Sequence, residues 1–202
     1  MNDLQYEIVK TTVKKAHLFQ ISRVVINSVI FIPFALIVFW IAAIVLNWIS
    51  ISMIVFISFF YTFLKELMII SRTKKTLINQ SKFLMSKNTD ATLYIPILEK
   101  VGKKTFVKSS ALFIQKDKLF LEAFRSTYFS TKPTDSISVP YGKDFEITEA
   151  KLIPEEHLIK YSGTLMDTEY HFYTIDLPGL IHQLSTFITF EKGNYKDVNT
   201  TQ

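Results

Sequence analysis

Hydrophobic positions along this chain fall into three regimes. From Val24 to Leu64 they run on with no Asp, Glu, Lys, Arg or His among them. From Thr92 to Ile175 they come in short runs separated by polar turns. From Leu177 to Ile188 they recur at steps of three and four. Each regime predicts a different kind of element, because helices, strands and membrane spans bury apolar side chains with different periods.

The uninterrupted block predicts two membrane-spanning helices. About 20 apolar residues cross about 30 Å of hydrocarbon. Residues 24–46 supply one span and residues 49–70 a second. Asn47 to Ser50 is the turn between them, with Trp48 suited to the membrane–water interface. Pro33 is expected to kink the first span. Lys65 can reach the headgroups from near the end of the second, with Glu66 beside it. A signal peptide has a shorter apolar core, of about 7–15 residues, so that reading is disfavoured. The flanks carry Lys14, Lys15 and Arg23 on one side and Lys65, Arg72, Lys74 and Lys75 on the other, and the turn carries no cation. Lys and Arg favour the cytoplasmic side, which puts both ends of the chain in the cytoplasm. No charge falls near the middle of either span, which disfavours a transport pathway.

The second regime predicts strands at 92–98, 105–115, 119–124, 136–140, 145–153, 157–163 and 169–175. Lys116-Asp117-Lys118 and Met166-Asp167-Thr168 are the expected hairpin turns. The third regime predicts a helix over 177–190, with Asp176 as its N-cap and Pro178 in its first turn. Residues 71–90 form a basic helical stem ahead of the strands, and 191–202 form a polar, disordered tail. At the amino terminus, Leu4–Val9 alternates as a short strand would. Residues 13–23 then read as an interfacial helix or a simple extension of the first span. The expected organisation is therefore 1–23, a membrane α-helical hairpin over 24–70, the stem 71–90, an α+β soluble domain over 91–190, and the tail.

Composition adds two exclusions. There is no Cys, so disulfides, thiolate catalysis and Cys-based zinc sites are excluded. Net charge is +5 but unevenly placed. Residues 1–108 hold 14 Lys or Arg against 5 Asp or Glu, whereas residues 109–202 hold 9 against 13. Positive charge hugs the apolar block rather than the folded domain. That suits anionic lipid, not nucleic acid.

About six or seven short strands followed by one apolar-striped helix resemble the pleckstrin-homology-like fold. The residues that carry the likeness are Ala111 to Leu121, Ser136 to Tyr141, and the helix 177–190. The resemblance implies a bent antiparallel β-barrel capped by a C-terminal helix. With two spans before it, the chain is similar to bacterial membrane proteins of the YcxB-like group, whose members begin with a short strand resembling Leu4–Val9.

Catalytic chemistry is not evident. With 5 Gly there is no phosphate-cradling loop and no nucleophile elbow. His17, His157, His171 and His182 lack metal-helix spacing, although His157 and His171 fall in neighbouring strands and could face each other. No cofactor or metal is expected. The candidate binding residues are Lys100, Lys103, Lys104 and Lys108, whose ammonium groups could converge on a phosphate. The expected role is a non-enzymatic, membrane-anchored module that meets anionic headgroups or a membrane-protein partner. One alternative is self-protection against a membrane-active peptide. Another is an accessory subunit or homo-oligomer, with Ser28, Ala35, Ala42 and Ala43 as packing residues.

Overall fold

The computed structural model describes residues 3–16, 21–41, 48–102, 104–127 and 130–190. The chain forms two compact units. One comprises residues 18–73 and the other residues 1–17 with 74–202.

The helical unit contains α2 (Ile21–Ile41) and the first part of α3 (Trp48–Lys87). Its burial is inverted relative to a soluble helix pair. Ser28, Ser58 and Thr62 are buried along with Val24 and Ile54. The Ser28 and Thr62 hydroxyls lie 2.6 Å apart, so one donates to the other, and the accepting hydroxyl keeps its proton for a carbonyl of its own helix, Val24 O for Ser28 or Ser58 O for Thr62. Phe31 and Tyr61 stack at 5.6 Å beside them. The outward side chains are large and apolar: Phe34 and Phe56 are each 69% exposed and Trp40 is 76% exposed. Among the described residues one helix, α3, is long and apolar enough to cross a membrane; the apolar part of α2, Val24–Val38, is shorter. Residues 42–47, which hold the end of the expected first span and Asn47 of the turn, lie outside the described residues. The 40-residue α3 passes from the expected second span into the expected stem without a break.

The second unit is built on one antiparallel sheet of seven strands in the order β4-β3-β2-β1-β7-β6-β5. The strands are β1 (Ala91–Val101), β2 (Lys104–Gln115), β3 (Lys118–Arg125), β4 (Asp135–Pro140), β5 (Phe145–Ile153), β6 (Leu158–Leu165) and β7 (Thr168–Ile175). All seven expected strands are present, with bounds shifted by a few residues. Positive φ at Lys116 and Asp117, and at Met166 and Asp167, makes the two-residue hairpin turns that match the twist of the strands they join. The link between β1 and β7 is thin, with Leu98↔Tyr173 its one registered pair. β1 itself is irregular on either side of Tyr94, with register shifts at Ala91/Leu93 and Pro96/Leu98. The sheet curls there into a half-barrel.

Strand β1 is buried on both faces from Leu93 to Leu98. The concave core gathers Ile95, Leu112, Leu121, Tyr161, Phe172 and Leu180, among others. On the other face Tyr94, Phe113 and Phe124 are buried, as are Leu77 and Leu84 of α3. Tyr94 donates its phenolic proton to Gln80 Oε1 at 2.8 Å and meets Phe124 edge-on. Burial pushes the Tyr94 phenol well above its ordinary pKa.

Two expectations fail at the ends of the chain. Leu4–Val9 is not a strand but lies within α1 (Asp3–Ala16), which buries Gln5, Ile8, Val9, Thr12 and Val13. The reason is tertiary. The sheet leaves Tyr94 unpaired on the edge of β1 away from β2, and the Gln5 amide supplies both missing partners. Gln5 Nε2 donates to Tyr94 O at 2.8 Å, and Tyr94 N donates to Gln5 Oε1 at 2.9 Å. The described part of α1 ends at Ala16 and α2 begins at Ile21, so the expected element over 13–23 falls partly on residues 17–20, which lie outside the described set. The second failure is the C-terminal helix. It is α4 (Pro178–Leu184), seven residues long rather than spanning 177–190. Its N-cap is Leu177, with no side-chain cap, not Asp176. Ser185 and Thr186 turn their hydroxyls back onto His182 O and Gln183 O, where such residues compete with helical bonding. Leu180, Leu184 and Ile188 are still buried in the core. Residues 191–202, the expected tail, lie outside the described residues.

Candidate functional site

The β1–β2 hairpin carries the lysines singled out by the sequence. Its register decides which of them act together. Val101 pairs with Lys104, Lys100 with Thr105, and Glu99 with Phe106. Paired side chains in an antiparallel sheet share a face, and alternate residues along a strand do too. Val101, Lys104, Phe106, Lys108 and Glu99 therefore lie on one face. Lys100 lies on the other, in line with Leu98 and Val107 at the mouth of the core.

The lysines differ in their partners as well. Lys100 forms an ion pair with Glu156 from the 3-10 turn Pro154–Glu156, both partners being partly buried. Lys108 Nζ lies 3.5 Å from Glu99 Oε1 and 5.4 Å from the centre of the Tyr170 ring. Lys104 is exposed and has no ion-pair partner among the described residues. Lys103 lies outside the described residues. The expected four-ammonium cluster thus resolves into two internally compensated lysines and one open one. What the sequence did not draw out is the apolar character of this tip. Val101 is 61% exposed and Phe106 43%.

The remaining expected interface residues are spread over both units. Lys14 and Lys15 are on the last turn of α1. Lys65, with Asn27, Phe34 and Glu66, lines a hollow beside the Phe31–Tyr61 stack. Lys74 and Lys75 are exposed on α3, with Lys74 Nζ 5.8 Å from the Tyr6 ring centre. Arg72 is exposed on the same helix. Arg23 and Trp48 fall in α2 and α3, but their side chains lie outside the described residues.

His157 and His171 do not face each other. His157 ends the 3-10 turn in a left-handed conformation, with φ 50°. His171 is opposite Ser162 and makes a 2.9 Å contact with Glu169. His17 lies outside the described residues. Among the described residues no three His, Asp or Glu come together in a way that could hold a metal.

One buried charge escaped the sequence reading. Glu122 of β3 is fully buried. Ser138 Oγ donates to its Oε2, and Lys87 Nζ lies 3.6 Å from its Oε1, which has no hydrogen-bond partner. Lys87 also donates to Ser136 O and Oγ, at 3.0 and 2.9 Å. This ties the last residue of α3 to β3 and β4. Strand alternation could not reveal it, because the partner comes from a helix that precedes the sheet.

No protein-family model, curated protein or solved structure matches the chain.

Proposed function

We propose that this protein is a non-enzymatic membrane-anchored module, in which a helical hairpin from α2 and α3 holds a pleckstrin-homology-like domain at a lipid surface. The observation that carries this reading is the inverted burial of the helical unit. In water, outward Phe34, Trp40 and Phe56 would each forgo roughly 1.5–3 kcal/mol of burial, while serine and threonine hydroxyls occupy the seam that apolar side chains should fill. In hydrocarbon the same arrangement is favourable. Hydroxyls find partners between the helices, and apolar side chains face lipid. At about 1.5 Å per residue α3 is roughly 60 Å long, twice the hydrocarbon thickness, so its first half suffices to cross. The cations flanking the apolar block favour a two-pass hairpin with both ends cytoplasmic.

The pleckstrin-homology-like reading is supported by the strand order, the thin joint at Leu98 and the burial of Leu180 and Leu184 of α4 in the core. For the lipid contact, the support is the hairpin tip. Val101 and Phe106 offer apolar side chains that can enter the interfacial layer, and Lys104 offers a cation for anionic headgroups. Because the chain has no native cysteine, a dye can be placed at Val101→Cys alone. Full-length protein in nanodiscs of phosphatidylcholine should show little change in dye emission, and a blue shift when phosphatidylglycerol is included. Identical emission in both lipids would rule out headgroup recognition by this tip.

A further inference from the structure

A second basic surface has a different shape. The face of α3 bearing Asn79, Lys82, Phe83 and Ser86 meets the β3–β4 connection at Lys132 and Pro133, and the six residues line a cleft of about 350 Å³. That is near the lower end of the range for small-ligand sites, about 300–1,000 Å³, and too small for a nucleic-acid track. The four helical positions recur at i, i+3, i+4 and i+7, so they share one face.

The connection is built to hold its place. Asn79 Nδ2 donates to Thr131 O and Thr131 Oγ1, both at 3.2 Å. Ser130 Oγ accepts from Lys132 N at 3.0 Å and donates to Lys132 O at 3.1 Å. Lys132 is thereby fixed at its backbone while its ammonium group stays outside these bonds. The charge balance of the cleft is one-sided. Its lining contains two lysines and no acid. Neither Lys82 nor Lys132 has an ion-pair partner among the described residues, in contrast to Lys87, Lys100 and Lys108. Two ammonium groups on one small concavity repel each other unless an anion sits between them. Ser86 lies at the rim with its hydroxyl donating to Phe83 O at 2.8 Å, and Phe83 and Pro133 add flat apolar walls.

We infer that this cleft binds a phosphate group, held by Lys82 and Lys132, with the organic part of a small phosphoester against Phe83 and Pro133. The inference does not depend on whether the Val101–Phe106 tip meets lipid. The phosphate can come from a soluble ester or from a phospholipid headgroup, and the two sources are separable by experiment.

The test uses the full-length protein in an uncharged detergent and follows its thermal unfolding midpoint. Inorganic phosphate and glycerol 3-phosphate are titrated against chloride at matched ionic strength. Both phosphates should raise the midpoint saturably, and chloride should not. Lys82→Gln and Lys132→Gln should each weaken the apparent affinity about tenfold, the scale expected for one hydrogen bond to a charged group. Lys132→Arg should retain binding, and Lys104→Gln should leave it unchanged. In nanodiscs, adding phosphatidic acid to phosphatidylcholine should lower the affinity for glycerol 3-phosphate if the source is a headgroup, and leave it unchanged if the source is soluble. The inference is overturned if chloride reproduces the effect, if neither phosphate saturates, or if both glutamine variants bind as the parent does.

Discussion

Removing the Gln5 amide tests the way α1 is held against the sheet. Gln5 is fully buried and pairs with both the N–H and the C=O of Tyr94. Gln5→Ala would leave two backbone groups buried without partners. An orphaned buried group costs about 1–3 kcal/mol, so the pair together should cost roughly 2–6 kcal/mol. Water entering the space left by the side chain would reduce this toward the lower half, about 3 kcal/mol. That corresponds to about a hundredfold rise in opening of this segment. Hydrogen exchange of residues 91–98 in a mild uncharged detergent measures it directly. Gln5→Glu should be no better, because a carboxylate accepts from Tyr94 N but faces Tyr94 O with no proton to donate. Tyr6→Ala is the control, since Tyr6 is 47% exposed on the same helix and should change exchange by less than about tenfold. If Gln5→Ala behaves like Tyr6→Ala, α1 does not close the edge of β1.

Three further outcomes are expected. A Cβ at Gly163 would lie 1.9 Å from Glu146 O, so Gly163→Ala should force β5 and β6 apart and lower the unfolding midpoint more than any surface substitution, as read by near-ultraviolet circular dichroism. Burial raises the Tyr94 pKa in the folded state; its contribution is therefore fully present below the unfolded value near 10 and is lost as pH rises above it, by about 1.4 kcal/mol per pH unit. Phenolate absorbance of Tyr94, isolated by difference from Tyr94→Phe, should appear together with unfolding rather than before it. Lys87→Met leaves buried Glu122 without its cation, and after discounting for the partly exposed lysine should cost about 2–3 kcal/mol in denaturant unfolding; adding Glu122→Gln should restore most of it, and a failure to restore would contradict the pairing.

The half-barrel was legible because its strands announce themselves locally. Leu119–Phe124 is a short, mostly apolar run behind a polar turn, and Lys116-Asp117 and Met166-Asp167 mark tight turns between apolar runs. The amino terminus misled because Leu4, Tyr6 and Ile8 alternate while Ile8, Val9, Thr12 and Val13 also fit a helical face. What decides between them is a gap in β1 some ninety residues away, which periodicity does not register. The same holds for the lysines. Lys100 and Lys108 were visible as cations, but Glu156 and Tyr170, which meet them, come from elements much later in the chain. Lys82 and Lys132 form a cleft only because Asn79 anchors Thr131. Buried Glu122 escaped for the same reason: the elements that shield it lie elsewhere in the chain.

The central claim is that the helical unit sits in lipid with its apolar side chains outward. The absence of native cysteine allows single spin labels at Phe34→Cys and Phe56→Cys, which face outward, and at Lys104→Cys as an aqueous reference. In lipid vesicles, relaxation by dissolved oxygen should be strong and relaxation by a water-soluble nickel chelate weak at 34 and 56, with the reverse at 104. Strong relaxation by the nickel chelate at 34 and 56 would place those side chains in water and contradict the account.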